Sequence, residues 1–139
     1  MPRRTRPMED LIVRVMNVRN EAQLLHWRTK SYAQHKASDE FLEEIQKKLD
    51  EFAEVLQGML ARRLDFSLCT RPAVFTYKNM NKTAFLRSLA VLQDLLGSME
   101  TVYTMDLPPA SSKSMQGLLN IRDEMLGEIS RTRYLLSFV

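Results

Sequence analysis

Two histidines are the whole imidazole complement of this 139-residue chain, and both fall in one short stretch, His26 beside Trp27 and then His35. Asp39, Asp50 and Glu54 follow, so that His35/Asp39 and Asp50/Glu54 are each spaced i, i+4. On a helix, that spacing sets the two side chains of a pair on one face. Imidazole nitrogen and carboxylate oxygen together suit iron, zinc or manganese. The competing reading is a solvated acidic face, because Lys36, Glu43 and Lys47 lie on or beside the same sector.

The elements that must carry these residues are helical. Only four Gly and five Pro interrupt long apolar stretches at helical spacing, which predicts an all-α fold. A first helix is expected from about Met8 to Lys30, with Leu11, Val15, Val18, Ala22 and Leu25 as its core stripe. Ile12, Met16 and Trp27 make a second apolar face of the kind that meets another subunit. A second helix is expected from Ser31–Ala33 to Arg63, carrying Phe41, Ile45, Leu49, Phe52, Leu56 and Met59 inward. The pattern then lapses through Leu64–Asn81, where Pro72 and the mixed run Cys69–Lys78 read as a crossover. A third helix, capped by Asn81 or Thr83, should run to about Thr104, and Asp106-Leu107-Pro108-Pro109 stops it. A fourth, capped by Ser111 or Ser112, should run almost to Val139. A short link, a long crossover and another short link fit a ferritin-like four-helix bundle with one long crossover between the second and third helices.

Helical geometry constrains how the candidate ligands can act. With about 100° per residue and Phe41 at zero, the apolar stripe of the second helix centres near 40°, while His35, Asp39, Asp50 and Glu54 fall at about 120–220°. They point away from the core of their own bundle. The inward di-iron site of bundle proteins draws a Glu-x-x-His element from each of two helices, and both histidines here lie in the first half of the chain. At about 1.5 Å per residue, His35 and Asp50 lie roughly 22 Å apart along the axis. They cannot share an ion within one chain. Antiparallel partner helices across a two-fold axis could bring the His35/Asp39 end of one chain to the Asp50/Glu54 end of the other, making two identical sites per dimer.

The segment Leu25-His26-Trp27, followed by His35, Asp39, Asp50 and Glu54, resembles the first half of Dps-type mini-ferritins. In that family His-Trp on the first helix is followed on the second by His-x3-Asp and then Asp-x3-Glu. The runs His26-Trp27-Arg28-Thr29-Lys30-Ser31-Tyr32-Ala33-Gln34-His35 and Asn120-Ile121-Arg122-Asp123-Glu124 are also similar to small ferritin-like proteins of large DNA viruses and phages. The mini-ferritin resemblance implies a ferroxidase centre at a two-fold interface. His26, His35 and Asp39 would come from one chain and Asp50 and Glu54 from its neighbour, with Glu54 bridging and Trp27 beside the ligands. It implies binding and oxidation of Fe²⁺ by peroxide or dioxygen. The chain departs from the family in the shorter interval between His26 and His35.

Charge adds little beyond the N-terminus. Arg3, Arg4 and Arg6 are three of the twenty basic residues, and the remaining seventeen balance seventeen acids. Residues 1–7 read as a basic arm, either a solubilising terminus or a non-specific contact to DNA phosphates, ahead of the bundle at 8–139. The lone Cys69 cannot form an internal disulfide, and no stretch reads as a signal peptide or membrane span. That places the protein in a reducing cytoplasm, that of a host cell or within a virion if it is viral. Asp94, Glu100, Asp123, Glu124 and Glu128 read as solvated or salt-bridging acids, and Cys69 not as a nucleophile. The nine methionines fit core spacing. Two functions stand open: an iron-binding ferroxidase that assembles as a homodimer or larger homo-oligomer, and a structural or interaction protein, such as a viral particle component, with a vestigial site.

Overall fold

The computed structural model of the chain describes residues 7–67, 69, 80–102 and 107–138. Their elements are α1 (Pro7–Arg28), α2 (Tyr32–Leu60), α3 (Lys82–Gly97), α4 (Met99–Val102) and α5 (Lys113–Leu136), with no strand among the described residues. Pro7 opens α1, where a missing amide proton costs nothing, and Glu9 and Asp10 follow in its first turn. Ser31, Asn81 and Ser112 cap α2, α3 and α5 by accepting from the amides of Gln34, Ala84 and Met115. The C-terminus of α2 turns at Ala61 (φ 52°, ψ 34°), a left-handed conformation that favours glycine. Arg3, Arg4, Arg6, Pro72 and most of the expected crossover lie outside the described residues.

α1 packs against α2 and α3, and α5 packs against the same two helices from the other side. The four long helices thereby enclose one core. Phe41, Ile45, Phe52 and Leu56 of α2 meet Leu11, Val15 and Leu25 of α1, Phe85, Leu89 and Leu96 of α3, and Leu118, Met125 and Ile129 of α5. Phe41 and Phe85 touch edge to face, with ring centroids 5.6 Å apart. Each such ring contributes about 1.5–3 kcal/mol by leaving water. Contacts between helices give their directions: Glu40 pairs with Arg131 and Lys48 with Glu124, so α5 runs antiparallel to α2. Phe85, in the first turn of α3, sits against Phe41, in the third turn of α2. α2 and α3 therefore start at the same end. The chain leaves the far end of α2 and must return over about 30 Å before α3 begins.

Two expectations are corrected. Ile12 is buried with the core rather than offered to a second subunit, which leaves Met16 and Trp27 exposed. The expected third helix is broken at Ser98, whose amide and hydroxyl both turn back onto the carbonyl of Asp94. The buried Arg122 guanidinium donates to the carbonyl of Leu96 at 2.9 Å and also holds Glu100 and Asp123. Arg122 thus adds a charged donor to a carbonyl at the end of α3 and keeps the four-residue α4 against α5.

Candidate metal centre

The candidate ligands are organised around a tight corner. Arg28 ends α1, with the amide of Thr29 donating to Leu25, and α2 begins at Tyr32. Between them, Thr29 Oγ1 accepts from the Ser31 amide at 3.1 Å and donates to Gln34 Oε1 at 2.8 Å. This short, hydrogen-bonded link swings the last turn of α1 alongside the first turn of α2. The His26 and His35 rings come face to face, with centroids 3.9 Å apart and planes 18° from parallel. Their hydrogen bonds are reciprocal. His26 Nδ1 donates to the carbonyl of His35 at 2.9 Å, and His35 Nδ1 donates to the carbonyl of His26 at 2.8 Å. The shortened interval that departs from the mini-ferritin pattern brings the two histidines together.

A carbonyl oxygen can only accept, so both Nδ1 atoms carry protons. In the neutral ring this leaves the Nε2 lone pair as the free donor to a metal. A backbone carbonyl behind Nδ1 is the usual way in which a ligating imidazole has its tautomer and orientation fixed.

The carboxylates on α2 divide into two groups. Glu40 pairs with Lys36 and Arg131, Glu43 and Glu44 with Lys47, and Glu51 with Lys48. Asp39, Asp50 and Glu54 pair with no cation among the described residues. All three are exposed on the outer face of α2. The acids of α2 left without a counter-ion are thus the three candidate ligands. Asp39 lies one turn beyond His35, whereas Asp50 and Glu54 are far along the helix. Among the described residues, no three His, Cys, Asp or Glu side chains of one chain gather to hold a metal. Trp27, beside His26 in sequence, is 71% exposed.

A second charged region escaped sequence reasoning. At the opposite end of the α1–α2 pair, Glu9 is fully buried, and its Oε2 accepts from Arg62 at 3.2 Å and from the Asp65 amide at 3.0 Å. Glu9 Oε1 is buried without a hydrogen-bond partner. Burial pushes the nearby Cys69 thiol up to about 11, reinforced by its hydrogen bond to Asp10 and by the charges of Asp10, Glu9 and Asp65. A thiol so placed is a poor nucleophile. Elsewhere, Glu21 and Glu128 are both raised above the ordinary carboxylate value, chiefly by burial. Neither belongs to a group of three His, Cys, Asp or Glu side chains that could hold a metal among the described residues.

Residues 26–136 match the model of DUF5856, a family of unknown function, and the chain belongs to that family. The matched span contains all five candidate ligands. No curated protein and no solved structure matches the chain.

Proposed function

We propose that the protein is a Dps-like iron-binding protein built as a ferritin-like four-helix bundle, with a ferroxidase centre completed across a two-fold subunit interface. The carrying observation is the division of the α2 acids. Every other carboxylate on that helix has a cation beside it, while Asp39, Asp50 and Glu54 stand exposed and unpaired on the face that also bears His35. Two imidazoles with Asp39 one turn away, joined by an Asp50/Glu54 pair brought by a two-fold mate, would form a donor set that fits Fe²⁺. The parallel course of α2 and α3 supports the bundle assignment, because ferritin-like folds carry one long crossover.

In this reading His26, His35 and Asp39 of one subunit and Asp50 and Glu54 of the other take up Fe²⁺ as substrate. Two Fe²⁺ ions each give one electron to a peroxide, which takes up two protons and leaves as two waters, and the resulting Fe³⁺ is sequestered. The protein's contribution is position: Nδ1–H bonds to main-chain carbonyls hold the imidazoles, and the exposed carboxylates supply negative charge that favours Fe³⁺. Trp27 lies close enough in the chain to pack behind the ligands. The stacked histidine pair equally favours a second reading, in which the corner is a purely structural clasp and the bundle serves as an interaction protein, such as a viral particle component.

Anaerobic Fe²⁺ titration followed by peroxide, read optically, separates the two. The ferroxidase reading expects iron binding and oxidation that are lost in a His35→Ala, Glu54→Ala variant, together with a dimeric or larger mass. Iron binding no greater than that variant's would sink it.

A further inference from the structure

Acidic residues are absent from three separate parts of the sequence: residues 22–38, 66–93 and 129–139 contain no Asp or Glu. The fold brings parts of all three to one end. Residues 22–38 form the α1–α2 corner, the contact of Phe41 with Phe85 places the start of α3 there, and the pairing of Glu40 with Arg131 places the end of α5 there. Asp39, Glu40 and Glu128 border this end; Glu40 is held between Lys36 at 3.7 Å and Arg131 at 3.1 Å, and Glu128 pairs with Arg131 at 3.5 Å. Arg28 and Lys30 pair with no acid among the described residues. One end of the molecule is therefore a concentrated positive surface on a chain whose net charge is only +3.

The same end carries four of the five exposed Phe, Tyr and Trp rings among the described residues, the fifth being Phe66 beyond the far end of α2. Trp27, Tyr32, Tyr134 and Phe138 are 71%, 76%, 63% and 55% exposed, whereas the exposed aliphatic side chains Met16 and Val91 lie further down α1 and α3. An amphipathic peptide or a bilayer would call for a continuous aliphatic patch. Exposed aromatic rings set among Arg and Lys, with Tyr134 and Phe138 meeting edge to face at 5.0 Å and Tyr32 stacked with His35 at 6.4 Å, instead match unstacked nucleobases on a phosphate chain. A duplex has no free base faces to offer.

We propose that this end of the molecule binds single-stranded nucleic acid, with bases stacking on Trp27, Tyr32, Tyr134 and Phe138 and phosphates held by Arg28 and Lys30. The surface caps the helix ends, while the interface proposed above lies along the flank of α2. The inference does not rest on that reading. Trp27 and Tyr32, whose ring stacks with His35, belong to both, but Tyr134 and Phe138 belong only to this one.

Trp27 is the sole tryptophan, so its fluorescence reports the contact directly. Adding oligothymidylate to the full-length protein should quench Trp27, and the binding should weaken as salt rises. With a labelled oligonucleotide, Trp27→Ala and the Tyr134→Ala, Phe138→Ala pair should each weaken binding by about 5-fold or more. Lys30→Glu should lower the slope of log affinity against log salt by about one. Sedimentation of the same variants, and iron uptake by the Tyr134→Ala, Phe138→Ala pair, show whether the α2 interface survives independently. The proposal is overturned if a duplex of equal length, polyglutamate or anionic vesicles bind as tightly as oligothymidylate, or if the aromatic variants bind it unchanged.

Discussion

The two ends of the α1–α2 pair hold the same two helices together by opposite chemistry. At one end, the half-buried His26 ring and the exposed His35 ring exchange hydrogen bonds with each other's main chain, and no acid lies within the corner. At the other, Glu9 is sealed against Arg62 and the Asp65 amide, with Asp10 and Cys69 close by. A buried charge must be answered by a partner or the fold suffers, so the Glu9 end is committed to structure. A clasp of two hydrogen bonds near the surface contributes less and leaves Nε2 of each ring outside it. Function can be added at the histidine end at little risk to stability.

That contrast can be broken most forcefully at the acidic end. Arg62→Ala leaves Glu9 buried beside a single amide donor and should cost about 3 kcal/mol in urea unfolding. A loss no larger than that of an ordinary surface substitution would mean that the Glu9 end carries no special weight. Cys69 probes the same end without mutation. With its thiol pushed up to about 11, from an ordinary 9.0, far less thiolate exists near neutrality, and iodoacetamide should modify it about 100-fold more slowly than an unhindered cysteine. The sign follows from deprotonation: the rate should climb with pH until about 11. Alkylation at the free-thiol rate would remove the acids from any role there.

The histidine end should respond more gently. His26→Ala and His35→Ala should each cost about 1 kcal/mol, the net worth of one hydrogen bond. A double-mutant cycle should show coupling of about 0.5–1 kcal/mol from the stacked rings. Zero coupling would show that the rings do not stack in solution.

Much of the fold was legible in the apolar period. The stripe through Leu11, Val15, Val18, Ala22 and Leu25 is buried, as is that through Phe41, Ile45, Leu49, Phe52 and Leu56. What periodicity missed depends on partners outside the helix being read. Glu9 looks like an ordinary first-turn acid until Arg62 arrives from 53 residues away. The turn at Ser98 was hidden because the apolar spacing runs straight on to Met99, which is also buried. The candidate ligands could be placed on a face of α2 from spacing alone. Their separation into unpaired and paired acids could not, because it depends on which lysine reaches which carboxylate. Nor could the face-to-face histidines, whose meeting depends on how Thr29 and Ser31 turn the chain.

The common starting level of α2 and α3 also has a bearing on how the chain finds its fold. α1 and α2 meet through a local corner and can assemble as a hairpin early, whereas the contact of Phe85 with Phe41 joins residues far apart in sequence. Contacts so distant in sequence delay folding, which makes α3 docking the expected slow step. Because closure entropy grows only logarithmically, doubling the number of residues between α2 and α3 with flexible chain should raise that cost by about 0.6 kcal/mol. The segment joining α2 to α3 is therefore where the chain can gain length most cheaply, while its lower limit is set by the distance it has to cross.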